Sequence, residues 1–125
     1  MIAKAASSPA AVDLSQLPGR IHVLNPDEVL AYLTQCPDLV PILPDVCAAT
    51  RAEFGEAAEL LLELKHDMEI YDPHLVLCVR VERYGAEVRE RIDAIDARFN
   101  DRLTDARGWL SVTTDHRPPG TKHGV

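Results

Sequence analysis

At 125 residues the chain is long enough for one domain with its own hydrophobic core, with no requirement for a stabilising metal or disulfide. Its 20 acidic against 13 basic residues give a formal charge of −7, a field that repels a polyanion and makes nucleic acid a disfavoured partner. Three cysteines, Cys36, Cys47 and Cys78, with no C-x-x-C pair, suit reduced thiols, and no apolar run approaches the roughly 20 residues of a membrane span. Met1 to Val12 has no continuous apolar core of the kind a signal peptide carries. The composition therefore describes a cytoplasmic protein with no membrane segment.

Residues 1–20 are rich in Ala, Ser and Pro and read as a flexible arm. Residues 21–115 read as a single α+β domain and residues 116–125, with Pro118-Pro119-Gly120 at their head, as a disordered tail. Asn25-Pro26-Asp27-Glu28 has the grammar of a helix start: a side chain able to cap, a proline at the first helical position and an acidic residue where a capping box needs one. Val29, Leu30 and Leu33 form the apolar stripe that follows. Pro41 and Pro44 predict a kinked or two-piece entry to the second helix, which then spaces Leu43, Val46, Cys47, Thr50 and Phe54 before Gly55 stops it.

Glu59 to Glu82 contains two apolar alternating runs with an acidic segment between them, the pattern of a β-hairpin. Leu60, Leu62 and Leu64 must share a face with Leu75, Leu77 and Val79, and the register that meets this demand with opposite charges sets Glu59 against Arg80. From Ala86 to Arg107, Val88, Ile92, Ile95, Phe99 and Leu103 recur at helical spacing, with Glu87 and Arg91 placed for an ion pair one turn apart. Trp109 to Thr114 is the third strand by composition.

The order helix, helix, strand, strand, helix, strand predicts a two-layer α+β fold: a small three-stranded sheet with a hairpin, a helical crossover and helices over one face. The second and third strands should run parallel, because a whole helix joins them. Antiparallel pairs tolerate one open face better than parallel pairs do, so the favoured order places the first strand between the other two.

His66, Asp67, Glu69, Asp72 and His74 crowd the hairpin turn, which raises a divalent-cation site on Asp67, Glu69 and Asp72. Register sets His66 on the core face and His74 on the opposite one, so the two imidazoles do not converge. An acidic turn closed by Asp72-Pro73 is also what ordinary turn chemistry selects, and no bound cofactor is required. Minimal nucleotidyltransferases hold metal with Asp-x-Asp after a Gly-Ser pair. Here Asp72-Pro73-His74 lacks the second Asp, and the chain contains no Gly-Ser. On the outer face, Leu61, Val76 and Cys78, with Arg80 beside them, form a stripe that the chain's own arm, a second copy or another protein must cover. Cys78 reads as a packed thiol and Trp109 as a core or rim anchor.

Pro37-Asp38-Leu39, Asp67-Met68-Glu69-Ile70-Tyr71-Asp72, Leu75-Val76-Leu77-Cys78-Val79-Arg80 and Gly108-Trp109-Leu110 together resemble a family of small uncharacterised bacterial α+β proteins, over residues 26–119. Where that family has Asp-Pro-Glu in the turn, this chain has Asp67-Met68-Glu69, without the stiffening proline. The resemblance implies no catalytic residue and at most a partner-binding role. The expectation is a small protein-interaction module, antitoxin-like or a complex subunit, acting on a protein partner or as a homodimer. The alternative is a divalent-metal-dependent enzyme, or a degenerate nucleotidyltransferase-like domain, using the acidic hairpin tip.

Overall fold

In the computed structural model, which describes residues 13–66 and 73–121, the hairpin forms in the register that the apolar alternation requires. Strands β1 (His22–Val23), β2 (Glu59–Lys65), β3 (His74–Arg80) and β4 (Leu110–Thr113) make one mixed sheet in that spatial order. Helices α1 (Pro26–Gln35), α2 (Ile42–Phe54) and α3 (Ala86–Thr104) complete an α+β fold. β2 and β3 are antiparallel with Glu59 opposite Arg80, and Leu60, Leu62 and Leu64 pair with Val79, Leu77 and Leu75. All six join the helices in one core, with Leu62, Leu75, Leu77 and Val79 fully buried. Each such side chain contributes about 1.5–3 kcal/mol of apolar burial.

Two expectations about the sheet are corrected. Among the described residues it has four strands rather than three, and β3, not β2, pairs with the last strand: β4 lies parallel to β3, with Leu75 opposite Leu110 and Leu77 opposite Val112. The edge of β2 that the expected order assigned to the last strand is occupied by β1, which runs parallel to it with His22 opposite Leu61. After β4 the chain turns back, and Thr114, Asp115 and Thr121 hydrogen-bond to the end of β3.

Local signals explain the helices. Pro26 begins α1, but Asn25 does not cap it through its side chain. Its amide instead donates to the Leu64 carbonyl and accepts from the Leu64 N–H, both at 3.0 Å, because that backbone lies beyond the reach of β1 and needs partners. The two-piece entry to α2 is a 3-10 turn, Pro37–Leu39, followed by the helix proper, which ends at Gly55 with φ of +80°. In α3 the five expected residues are the buried ones. Arg91 does not rely on Glu87: it crosses to α2, 2.6 Å from Glu53, and lies over the Phe54 ring at 4.5 Å.

α3 ends at Thr104, short of the expected Arg107, and the return to the sheet turns at Gly108. A Cβ there would lie 2.8 Å from both Cys36 Sγ and Tyr32 Oη, and φ is +90°, so geometry and space both demand glycine. Tyr32 Oη accepts the next amide, that of Trp109, at 2.9 Å. Trp109 itself is 43% exposed, the one large hydrophobic side chain on the surface among the described residues.

Candidate functional site

The strand alternation that sends Leu60, Leu62 and Leu64 toward the helices sends Glu59, Leu61, Glu63 and Lys65 to the other face. Opposite them on β3 stand Arg80, Cys78, Val76 and His74, and β4 adds Ser111 and Thr113. Leu61, Val76, Cys78 and Arg80 line one cavity of about 430 Å³, with Leu24 and Thr113 further along its wall. Leu61 and Val76 are 4% and 3% exposed but belong to no part of the helix-side core, and Cys78 is half-buried. The rim is charged: Lys65 Nζ lies 3.9 Å from a Glu63 carboxylate oxygen, and Arg117 stands on the far side.

Arg80 is the dominant charge of this face. Its side chain is 1% exposed, and a guanidinium removed from water must be fully paired. Nη2 donates to Asp115 Oδ2 at 2.8 Å and Nε to the same oxygen at 3.1 Å, a two-pronged contact. Nη1 donates to the Thr121 carbonyl at 2.6 Å and to Glu59 Oε1 at 3.3 Å. The hydrogen bond with Asp115 holds Arg80 still further on its charged side, against the opposing effect of burial. Burial pushes the Asp115 carboxyl up, yet the bonds from Arg80 and from the Arg117 amide outweigh it and hold it below the ordinary carboxylate range.

A second knot joins the same segment to the loop after β3. Thr114 Oγ1 donates to the Val79 carbonyl at 2.6 Å, and Tyr84 Oη donates to the Arg117 carbonyl at 2.5 Å while accepting from the Val81 amide at 3.2 Å. The His116 ring stacks at a tilt on Tyr84, centroids 5.3 Å apart. Residues 115–121, which composition assigned almost entirely to a tail, thus form a strap along one side of the cavity.

Neither Cys47 nor Cys78 is an activated nucleophile. Burial pushes Cys47 up to about 12, and Cys78 is raised by burial first and then by the charge of Asp115. His74 lies opposite Lys65 on the outer face, as register required. His66 falls one residue past the end of β2 and is exposed, 4.0 Å from Glu28, rather than facing the core. Asp67, Glu69 and Asp72 lie outside the described residues. Among the described residues, no three His, Cys, Asp or Glu side chains gather around a point that could hold a metal ion. No helix among them is long and apolar enough to cross a membrane.

The sequence stripe of Leu61, Val76, Cys78 and Arg80 is therefore part of one lining, which Asp115 and Arg117 complete from positions that no local pattern marks. One signal pointed that way: an arginine ending an apolar strand implies a distant acceptor, since charged side chains are almost never buried unpaired. Comparison with protein-family models, with curated proteins and with solved structures yields no match, so the chemistry of the site rests on its own residues.

Proposed function

We propose that this protein is a small interaction module of the cytoplasm, antitoxin-like or a subunit of a small complex, and that the outer face of its sheet receives a segment of a partner protein. The supporting observation is the cavity: apolar side chains from β2 and β3 line a concavity on the sheet face opposite the helix-side core, and charges of both signs rim it. An apolar floor with a polar rim is the anatomy of a protein interface, and the free thiols of Cys36, Cys47 and Cys78 suit a reducing compartment. The overall negative charge favours a protein over a nucleic acid as partner.

Light scattering of the purified chain across a concentration series, together with affinity capture from the native host, tests this reading. Thr113→Arg would fill the cavity from its rim without touching the helix-side core. The expected result is a stoichiometric partner, or a dimer, that is lost in Thr113→Arg while its circular dichroism stays native. A partner held equally well by the variant, or a strict monomer with no partner, would overturn the reading.

A further inference from the structure

The contacts of the strap differ in kind from those of the sheet that it lies on. Asp115, His116, Arg117, Pro118 and Gly120 are exposed, Pro119 and Thr121 only half-buried, and none of the seven belongs to the hydrophobic core. What holds them is polar: Asp115 and the Thr121 carbonyl on Arg80, the Gly120 amide on Glu59 at 3.1 Å, and the Arg117 carbonyl on Tyr84. His116 adopts φ of +60°, left-handed backbone that a non-glycine residue enters at a cost of about 1 kcal/mol or more. A segment with polar anchors, no buried side chain and a strained residue can open without opening the strands, at the cost of the Arg80 ion pair.

The strap also touches the floor of the cavity. Asp115 and Arg117 line the same cavity as Cys78, and the charge of Asp115 adds to the burial that raises the Cys78 thiol. A strap seated on Arg80 therefore walls the cavity into which the half-buried Cys78 faces.

We propose that Asp115–Thr121 is a releasable strap, latched by the Arg80–Asp115 ion pair, which controls access to the outer-face cavity. Latched, it walls the cavity beside Cys78; released, it opens the apolar floor of Leu61, Val76 and Cys78 to a partner. This rests on the outer face being the interaction surface, and it adds regulation to that surface: a partner competes with the strap and binds more tightly when the latch is weakened. Because Arg80 is buried, the strap's departure leaves it with Glu59 alone, which returns the strap whenever the face is empty.

Cys78 supplies the readout, since Cys36 and Cys47 are buried in the helix-side core and report global opening instead. Full-length wild type, Asp115→Asn and Asp115→Glu are pulsed with a small maleimide under native conditions, and each thiol is mapped by mass spectrometry. Asp115→Asn should raise the Cys78 rate about tenfold, as expected for loss of a charge-assisted hydrogen bond, with Cys36 and Cys47 unchanged and partial recovery in Asp115→Glu. A Cys78 rate within about twofold of wild type, or a rise shared by all three cysteines, would overturn the latch. The two proposals fail separately: faster Cys78 labelling without any partner keeps the strap and removes the interface, whereas a partner lost in Thr113→Arg with unchanged Cys78 labelling does the reverse.

Discussion

The two faces of the hairpin are made by alternate residues of the same strands, yet they are stabilised by different physics. On the helix side, Leu60, Leu62, Leu75, Leu77 and Val79 meet Val88, Ile92, Ile95 and Phe99 in a closely packed layer that needs no specific polar partner. On the outer side, Leu61 and Val76 border a cavity, and a buried guanidinium is held by acceptors 35 and 41 residues away. The first face tolerates exchange of one apolar group for another of similar size and punishes lost volume. The second face depends on particular atoms at particular places.

Neighbouring residues of β3 give the largest contrast. Leu77→Ala, on the packed side, should cost about 2–5 kcal/mol, the transfer term plus the hole left behind. Val76→Ala, one residue away but already beside a cavity, should cost about 1.5 kcal/mol or less, the transfer term alone. Urea denaturation of both variants measures the difference, and equal losses would mean that the two faces are packed alike.

Adding atoms should reveal the same asymmetry on a smaller scale. Gly108→Ala drives a methyl into Tyr32 and Cys36 and should cost about 1–3 kcal/mol. Thr113→Ile adds bulk toward the cavity on a strand that favours β-branching and should stay within about 1 kcal/mol of wild type. A heavy penalty for Thr113→Ile in thermal melts would show that the cavity has no room to spare.

The smallest effect, and the most specific, is the opposed acid response of two aspartates. Asp115 is held below the ordinary carboxylate range, so its contribution is present above about pH 4 and is lost as the pH falls through its folded value. Asp96, on α3, accepts the Val112 amide at 2.9 Å. Its carboxyl is raised by burial, opposed by that amide and by Arg89 and reinforced by Asp93. It therefore favours the folded state most when protonated, and that benefit fades as the pH rises through its raised value. On acidification from neutral pH to about pH 3, wild type should lose stability relative to Asp115→Asn and gain relative to Asp96→Asn. Each difference should be about 1 kcal/mol or less, since neither group is fully buried. Denaturation midpoints at three pH values would settle the signs, and shifts in the same direction for both variants would contradict this assignment.

How much of this was legible in the sequence follows the same division. Helix α3 and the hairpin register could be read because their signals are local: five apolar residues at helical spacing, and alternation that leaves one charge-matched pairing of Glu59 with Arg80. β1 is not legible because two residues, His22 and Val23, cannot display a period. The position of β4 beside β3 is not legible, because a preference for antiparallel pairs points to a different sheet order and the segment after β4 that bonds Arg80 has the composition of any frayed terminus. The stripe of Leu61, Val76, Cys78 and Arg80 was visible as alternation. Its closure by Asp115 and Thr121 was not, since nothing in the spacing of Thr114-Asp115-His116 refers to Arg80.

Asn25 has a consequence for how copies of this protein can meet. β1 covers only two positions of a seven-residue neighbour, and the side-chain amide of Asn25 acts as one more rung by pairing both backbone groups of Leu64. At the far edge, Asp96 takes the outward amide of Val112. Each rim of the sheet is thus partly stoppered by a side chain where a foreign strand would otherwise start its ladder, which protects against edge-to-edge aggregation. Growth of the sheet sideways is discouraged at both ends.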